Sequence, residues 1–162
     1  MHVLWAPWRM DYITGVKPLG CIFCDKARED DDPKHFVLFR AKLAFVLLNI
    51  YPYNNGHLMI APYRHLDTLE KMSAEELLDM MSLAQRSIVI LVEGLKAEGF
   101  NLGINLGRIA GAGIEEHVHL HIVPRWGGDT NFMPVLGDTK VMPEHLEATY
   151  AKLSPLFRGE LG

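Results

Sequence analysis

The segment HVHLHIV, residues 117–123, constrains this chain more than any other stretch of its sequence. His117, His119 and His121 alternate with aliphatic residues, which is the period-two pattern of a β-strand. Because side chains along a strand point alternately to its two faces, we expect the three imidazoles on one face and the aliphatic residues against the core. A merely solvated face explains the pattern poorly, since it needs three consecutive selections of one uncommon residue.

Two kinds of chemistry suit such a row of imidazoles. The first is metal binding, but a strand rises about 3.3 Å per residue, so the Cα atoms of His117 and His121 are about 13 Å apart. All three cannot easily ligate one ion, although one or two could join ligands from elsewhere. The second is anion chemistry, because imidazole donates hydrogen bonds, carries charge near neutral pH and acts as a nucleophile. The glycines of NLGRIAGAG, residues 105–113, favour anion chemistry because a glycine-rich turn lets backbone amides approach an anion.

Length and charge narrow the function further. The chain has 162 residues, which suits one domain with one hydrophobic core. Its formal charge of -4 argues against polymeric nucleic acid as a partner, although a small anion can still bind locally. No apolar run of about 18 residues is present, so no membrane span is expected, and the N-terminal MHVLWAPWRM is a poor signal peptide. We therefore predict a cytoplasmic protein.

The pattern of apolar runs predicts the fold class. The runs FVLFR from Phe36, AFVLLNI from Ala44 and HLMIAP from His57 are rich in strand-forming residues and are followed by a long helical segment. FNLGINL and HVHLHIV follow as two further strands. Short links between neighbouring strands favour antiparallel pairing. We predict an α+β fold, an antiparallel sheet of about five strands with helices packed on one face.

The long helix carries its own start signal. Ser73 and Glu76 form a capping box, in which each side chain accepts from the backbone amide of the other residue. Gly99 is the predicted stop. Apolar residues at helical spacing predict the buried stripe: Leu77, Met81, Ala84, Ile88, Leu91 and Leu95. A final helix is predicted after Pro143, through EHLEATYAKL.

Several blocks of sequence together resemble a known family. HVHLHIV matches the alternating signature of the histidine triad (HIT) superfamily, and LLNIYPYNNGHLMIAPYRH resembles the block that precedes it in that family. The segments WAPWRMDYI, CIFC, NLGRIAGAG and PRWGGDTNFMPV resemble the bacterial branch related to diadenosine tetraphosphate phosphorylases and HIT-type nucleotide hydrolases. The resemblance extends from Trp5 to about Val135. It implies a HIT-like fold whose sheet continues across a homodimer.

The resemblance also implies a mechanism and a set of site residues. His119 would attack the α-phosphorus of a nucleotide substrate, and His57 and His121 would hold the phosphate oxygens. The implied substrate contacts are Asn49 on the ribose, Asn105, Gly107, Arg108, Gly111 and Gly113 around the phosphates, and Phe45, with Ile22 or Phe23, near the base. Inorganic phosphate is a possible second substrate, and no organic cofactor is implied.

The two cysteines, Cys21 and Cys24, form a C-x-x-C motif. Such a motif suits redox work, half of a zinc site or a pair of buried thiols. A redox role is disfavoured because the order of elements offers no βαβ unit around the motif. The resemblance implies a structural Zn²⁺, one per chain, held by Cys21, Cys24, His65 and His117. Two thiolates and two imidazoles make a closed tetrahedral set.

Three functional hypotheses remain at this point. The leading one is a nucleotidyl transferase or hydrolase that cleaves dinucleoside polyphosphates, with phosphorolysis of diadenosine tetraphosphate to ADP and ATP favoured. The second is a purine nucleoside phosphoramidase or general nucleotide hydrolase, and the third a nucleotide-binding sensor without turnover. One departure from the family bears on the choice: Gly113 and Ile114 stand where relatives often carry a polar phosphate contact.

We predict one domain over residues 1–162. It would comprise an N-terminal arm (1–20), a catalytic core (21–135) and a C-terminal extension with the last helix (136–162).

Overall fold

The computed structural model describes residues 20–131 and 142–159. Its strands are β1 (Val37–Arg40), β2 (Ala44–Leu48), β3 (Leu58–Pro62), β4 (Gly99–Ile104) and β5 (Leu120–Arg125). Its α-helices are α1 (Ile22–Arg28), α2 (Asp32–His35), α3 (Ala74–Leu95) and α4 (Leu146–Arg158). The predicted arm at residues 1–20 lies almost entirely outside the described residues, and so does the predicted boundary at 135 and 136.

The five strands form one antiparallel sheet in the order β1-β2-β3-β5-β4. The first three strands follow one another along the chain as a meander. The long helix α3 then carries the chain to β4 at one edge of the sheet, and β5 returns between β4 and β3. The predicted α+β fold with a five-stranded antiparallel sheet is confirmed.

The sheet separates two apolar layers. One face packs against α3 and α4, and its core includes Val46, Ile60 and Ile122 from the three central strands. The opposite face packs against α1 through a smaller cluster that includes Phe23 and Phe45. The two long helices therefore share one face, as predicted, while the short α1 covers part of the other.

Helix α3 begins as predicted and differs in its buried face. Ser73 and Glu76 make both hydrogen bonds of the capping box. The predicted buried residues Leu77 and Met81 are exposed. The residues that face the core are Glu76, Met80, Leu83, Ala84, Ser87, Ile90 and Leu91. The solvent-exposed side of the helix is also partly apolar. The apolar pattern in the sequence is therefore centred between the exposed side and the core-facing side.

The end of α3 also differs from the prediction. The helix ends at Leu95, where Lys96 adopts a left-handed conformation with φ of 55° and its amide donates to the Leu91 and Val92 carbonyls. This cap satisfies two carbonyls at the end of the helix. In other proteins a glycine commonly occupies this left-handed position. Gly99, the predicted stop, instead begins β4.

Strand β5 starts at Leu120, so His117 and His119 lie in the extended segment just before it. The register pairs Ile60 with Leu120, which brings Pro62 opposite Val118. Pro62 has no amide proton to donate to the ladder, and the Val118 amide donates instead to Leu66 O at 2.6 Å. Within the described residues, no helix combines the length and the apolar character that crossing a membrane requires.

Candidate active site and metal centre

A cleft opens on the face of the sheet opposite α3 and α4. Ile22 and Lys26 of α1 form one wall, and the glycine-rich loop contributes Gly111, Gly113 and Ile114. Leu47 and Met59 form part of its floor, and His119 and His121 reach it from β5 and the segment before it. Most of the lining is apolar, so a group that binds here meets hydrophobic walls and a few polar side chains.

His119 is held in one orientation by the backbone. Its Nδ1 donates to the carbonyl of His117 at 2.8 Å, and the Phe23 ring lies 4.8 Å from its own ring. A carbonyl oxygen only accepts, so Nδ1 carries the proton and Nε2 carries the lone pair of the neutral ring. Burial lowers the pKa of His119 below its ordinary value. The side chain is therefore neutral near pH 7 with a nucleophilic Nε2.

A chain of hydrogen bonds fixes the tautomers of the other two active-site histidines. The Tyr53 amide donates to His57 Nδ1 at 3.0 Å, so this nitrogen is an acceptor. The proton of a neutral His57 is then on Nε2, which lies 2.9 Å from His121 Nδ1 and donates to it. In turn the proton of a neutral His121 is on Nε2. Backbone geometry at Tyr53 thus makes His121 a hydrogen-bond donor through its Nε2.

Asn49 also takes part in this hydrogen-bond network. The amide of Tyr51 donates to Asn49 Oδ1 at 2.9 Å, which turns the Asn49 amino group towards His57 Nδ1, 3.4 Å away. Asn49 lines the cleft at the end of β2, where the prediction placed a ribose contact.

His57 lies behind His121. Its side chain is fully buried, and both of its ring nitrogens take part in the hydrogen bonds described above. Its predicted part in holding the phosphate oxygens stays a prediction. His57 acts on the cleft through His121, whose orientation and tautomer it fixes.

Four further side chains come together between α1, the segment after β3 and the segment before β5. One ligand atom each from Cys21, Cys24, His65 and His117 lies within 4.8 Å of all the others. His117 Nδ1 is 3.2 Å from Cys21 Sγ and 3.7 Å from Cys24 Sγ, and His65 Nδ1 is 3.3 Å from Cys24 Sγ. Tetrahedral zinc sites with ordinary bond lengths have sulfur–nitrogen edges of about 3.6 Å. The four residues predicted as ligands are thus close enough to hold one metal ion.

The surroundings of this cluster also suit a cation. His117 Nε2 donates to the Pro62 carbonyl at 2.8 Å, which leaves the lone pair on Nδ1, beside the thiols. Burial lowers the pKa of His117 to about 4, so the ring is neutral, as a metal ligand must be. Burial raises the pKa of the Cys21 thiol, and a divalent cation offsets that cost because it binds thiolate.

The remaining predicted substrate contacts divide into two groups. Gly111 and Gly113 line the cleft. The amide of Gly111 donates to the Arg108 carbonyl and closes the turn. Asn105, Gly107 and Arg108 are not among the described residues that line the cleft; Gly107 borders a separate hollow beside His65.

Phe45 is not among the described residues that line the cleft, and its predicted place near the base stays a prediction. Its ring is completely buried and stacks on Tyr63 at 5.4 Å, behind the cleft floor that Leu47 and Met59 provide. Of the alternatives for the base contact, Ile22 lines the cleft and Phe23 packs against His119.

Two cleft residues were not anticipated from the sequence. Tyr53 contributes the amide that fixes His57, and its ring lies 4.5 Å from the His57 ring. Lys26 stands one helical turn after Ile22 and lines the same wall. The spacing of Lys26 from Ile22 was a usable signal, because residues four apart share a helix face. No sequence signal identified the Tyr53 amide.

This combination of sheet order, buried neutral imidazole and alternating histidines defines the class of protein. A family model described as the HIT domain matches residues 31–128. A relative named AP-4-A phosphorylase, from Mycobacterium tuberculosis, is 40% identical over 154 residues, which cover 90% of this chain and 79% of the relative. The chain belongs to the HIT family.

More distant relatives and solved structures agree with that assignment. A bis(5'-adenosyl)-triphosphatase of Dictyostelium discoideum is 34% identical over 89 residues, which cover 55% of this chain and 59% of the relative. A Zn-bound histidine triad family protein from Mycobacterium smegmatis superposes with a TM-score of 0.71 at 26% identity, covering 87% of this chain and 95% of the other. A hypothetical histidine triad nucleotide-binding protein from Sulfolobus tokodaii shares the fold at 24% identity, with a TM-score of 0.65, covering 86% and 90%.

Proposed function

We propose that this protein is a nucleotidyl transferase or hydrolase that cleaves dinucleoside polyphosphates through a nucleotidyl intermediate on His119. Phosphorolysis of diadenosine tetraphosphate to ADP and ATP is the favoured reaction. The observation that carries the proposal is the 2.8 Å hydrogen bond from His119 Nδ1 to the His117 carbonyl, which leaves the lone pair on Nε2. The 40% identity to a protein named AP-4-A phosphorylase supports the choice of substrate.

The first step is an attack on phosphorus. The Nε2 lone pair of His119 forms a bond to the α-phosphorus, and the bond from that phosphorus to the bridging oxygen breaks. The bridging electron pair leaves with the distal nucleotide, which is ATP when the substrate is diadenosine tetraphosphate. His121 donates from Nε2 to a phosphate oxygen as negative charge develops there. His57 keeps that donor in place.

The second step releases the nucleotide. An oxygen of inorganic phosphate bonds to the α-phosphorus, the phosphorus–Nε2 bond breaks, and ADP leaves with His119 neutral again. Water in the same position gives AMP. Ile114 lines the cleft at a position where relatives often carry a polar phosphate contact. Backbone and imidazole donors therefore make more of the contacts with phosphate.

The test is incubation with diadenosine tetraphosphate, with and without inorganic phosphate, followed by chromatography of the nucleotides. We expect ADP and ATP only when phosphate is present. AMP and ATP without any need for phosphate would identify a hydrolase instead. His119→Ala should bind AMP without turnover, and His145→Ala, an exposed histidine, is the matched control. A wild-type protein that binds nucleotide but turns over none would contradict the proposal and favour a sensor.

We further propose that the metal at Cys21, Cys24, His65 and His117 is a structural Zn²⁺. Two thiolates and two imidazoles suit zinc, and this closed set offers no position for substrate. The Zn-bound histidine triad relative supports the choice of metal. Cys21 and Cys24 form no disulfide with each other, which is compatible with the proposed cytoplasmic location, since that compartment keeps cysteines reduced and able to bind metal.

We also propose a homodimer in which the two sheets join. β4 is an edge strand, and exposed unpaired edges promote association with another chain. Helix α3 exposes an apolar patch formed by Leu77, Leu78, Met81, Val89 and Val92. Arg86 of α3 bonds to α4, and the residues of the patch lie on the solvent-exposed part of α3. A second copy of the chain would cover both features.

A further inference from the structure

We propose that Lys26 recognises the base of the bound nucleotide, with its ammonium donating a hydrogen bond to an acceptor nitrogen of a purine ring. The inference deepens the proposed function and rests on it, because it takes a nucleotide as the occupant of the cleft. It assigns a specificity-determining role to a side chain that the family pattern did not identify.

Lys26 lines the cleft and is hydrogen-bonded at the β1 side of the sheet. Its carbonyl accepts from Arg40 of β1 at 2.9 Å, and its Nζ donates to the carbonyl of His35, just before β1, at 3.2 Å. His121 is on β5, and β3 and β2 separate β5 from β1. Adjacent strands lie about 4.8 Å apart, so three steps across the sheet amount to about 14 Å.

This separation decides which part of a nucleotide meets Lys26. A phosphate held at His119 and His121 is too far away to reach the β1 side of the cleft. Asn49 lies between the two ends, at the end of β2, where a ribose would follow the phosphate. The base is the part of the nucleotide that extends furthest from the phosphate, so it is the base that approaches Lys26.

The chemistry of the cleft supports this role. The walls around Lys26 are formed by apolar side chains such as Ile22, Leu47 and Ile50, which can sandwich any base but do not distinguish its edges. Among the described residues that line the cleft, Lys26 is the one with an ammonium, guanidinium or carboxylate group. The Lys26 ammonium has three N–H donors, and one of them is bonded to the His35 carbonyl. Adenine and guanine both carry a hydrogen-bond acceptor at N7, and adenine carries another at N1. The Lys26 ammonium can only donate, so it suits these acceptor nitrogens.

The contacts of Lys26 also explain how the ammonium is held in position. Arg40 donates to the carbonyls of Lys26, Ala27 and Glu29 and to the Asp32 carboxylate, which fixes the end of α1 against β1. A lysine on a fixed helix end whose Nζ is already bonded to a carbonyl loses less freedom when it binds a ligand. Lys26 is therefore prepared for a directed contact.

The test measures binding rather than turnover, with the metal-loaded protein and four ligands: AMP, 7-deaza-AMP, 1-deaza-AMP and adenosine. Lys26→Met keeps the length of the aliphatic chain and removes the donor. We expect this variant to bind AMP about tenfold more weakly than the wild type. In the wild type one deaza analogue should lose a similar factor, and in Lys26→Met the three nucleotides should bind equally. Lys26→Met should also bind adenosine more weakly than the wild type does, because the lost contact is to the base and not to the phosphate.

The controls separate the possible failures. Lys34→Met removes an exposed lysine of the neighbouring helix and should bind every ligand as the wild type does. Metal content and thermal unfolding of Lys26→Met should match the wild type, and Lys26→Gln, which retains an N–H donor, should recover part of the affinity. Equal AMP binding by wild type and Lys26→Met overturns the inference, and so does a loss that vanishes with adenosine. A wild-type protein that binds no nucleotide overturns the proposed function itself.

Discussion

At the scale of single residues, the active site depends on where protons are. The Tyr53 amide makes His57 Nδ1 an acceptor, His57 then donates to His121, and His121 retains its proton on Nε2. His119 has the opposite arrangement, because the His117 carbonyl holds the proton on Nδ1. The two histidines therefore present different groups at Nε2, a lone pair on His119 and an N–H on His121, which is what the proposed mechanism requires of them.

This arrangement predicts how substitutions of His57 behave. His57→Leu removes the donor to His121 and the acceptor of the Tyr53 amide, so we expect kcat to fall about 100-fold through loss of orientation. We also expect the free energy of unfolding to fall by about 1–3 kcal/mol. His57→Gln carries an N–H near the position of Nε2 and should retain most of the activity. Steady-state kinetics and urea denaturation of both variants measure the two effects. Equal activities of the two variants would contradict a positioning role.

Sequence reasoning identified the members of the site better than their arrangement. The alternating histidines were predictable from their pattern, and the four candidate metal ligands from the resemblance to the family. The position of His57 behind His121 was not predictable, since it depends on a backbone amide four residues earlier. For Phe45, alternation along β2 predicts the face of the sheet, but its packing against Tyr63 is a tertiary contact that the sequence does not show.

At the scale of elements, α1 connects the metal centre to the cleft. Cys21 and Cys24 lie at its start, and Ile22 and Lys26 form a wall of the cleft. An isolated helix of 7 residues is not stable in water, so its position depends on tertiary contacts. Arg40 holds the end of the helix, and the proposed metal at Cys21 and Cys24 would hold its start.

We therefore predict that metal removal affects both stability and nucleotide binding. Chelation should lower the free energy of unfolding by at least about 3 kcal/mol, the linkage expected at a hundredfold excess over the dissociation constant. AMP affinity should fall as well, because α1 loses its anchor. Metal analysis, thermal unfolding and calorimetric titration before and after chelation measure these effects, and added Zn²⁺ should reverse them. Unchanged unfolding after complete loss of the metal would rule out a structural role.

Helix α3 illustrates the limits of pattern reasoning for an element. The capping box was predicted because its four-residue signature is local. The buried face was predicted in part: Ala84 and Leu91 face the core, whereas Leu77 and Met81 are exposed. Sequence periodicity cannot distinguish a side buried within the chain from one available to a partner.

The start of α3 also supplies a pH dependence. Arg64 hydrogen-bonds to the Glu76 carboxylate and lowers its pKa from 4.5 to about 2. Because the folded pKa lies below the ordinary value, the stabilisation is present above pH 4.5 and is lost as the pH falls from 4.5 towards 2. Glu76→Gln should be about 1 kcal/mol less stable than the wild type at pH 7. The difference should shrink in acid, as measured by thermal unfolding across pH. Glu75→Gln, in the same turn, is the control and should show no such convergence.

At the scale of the whole molecule, two surface features bear on the proposed dimer. β4 is an edge strand of the described sheet, and the exposed apolar residues of α3 include Leu78 and Val89, which are 68% and 64% exposed. Sheet edges and exposed apolar side chains are common at protein–protein interfaces, which supports the proposal.

A charge in the patch should separate the subunits. Val89→Asp places an unpaired carboxylate in the proposed interface, and we expect the molar mass in solution to fall from that of a dimer to that of a monomer. Light scattering coupled to size-exclusion chromatography measures the change. Ala151→Asp adds the same charge on the exposed side of α4 and should leave the dimer intact. A wild-type protein that is monomeric at micromolar concentration would refute the proposed dimer.

The nucleotidyl intermediate on His119 is the central claim, and mass spectrometry of the quenched reaction tests it most directly. Wild-type protein mixed with diadenosine tetraphosphate and denatured within one turnover should carry one adenylyl group, located on the peptide that contains His119. His119→Ala should carry none, and inorganic phosphate should remove the group from the wild type with release of ADP. Turnover with no adenylylated protein, or an adenylyl group on another residue, would contradict the account.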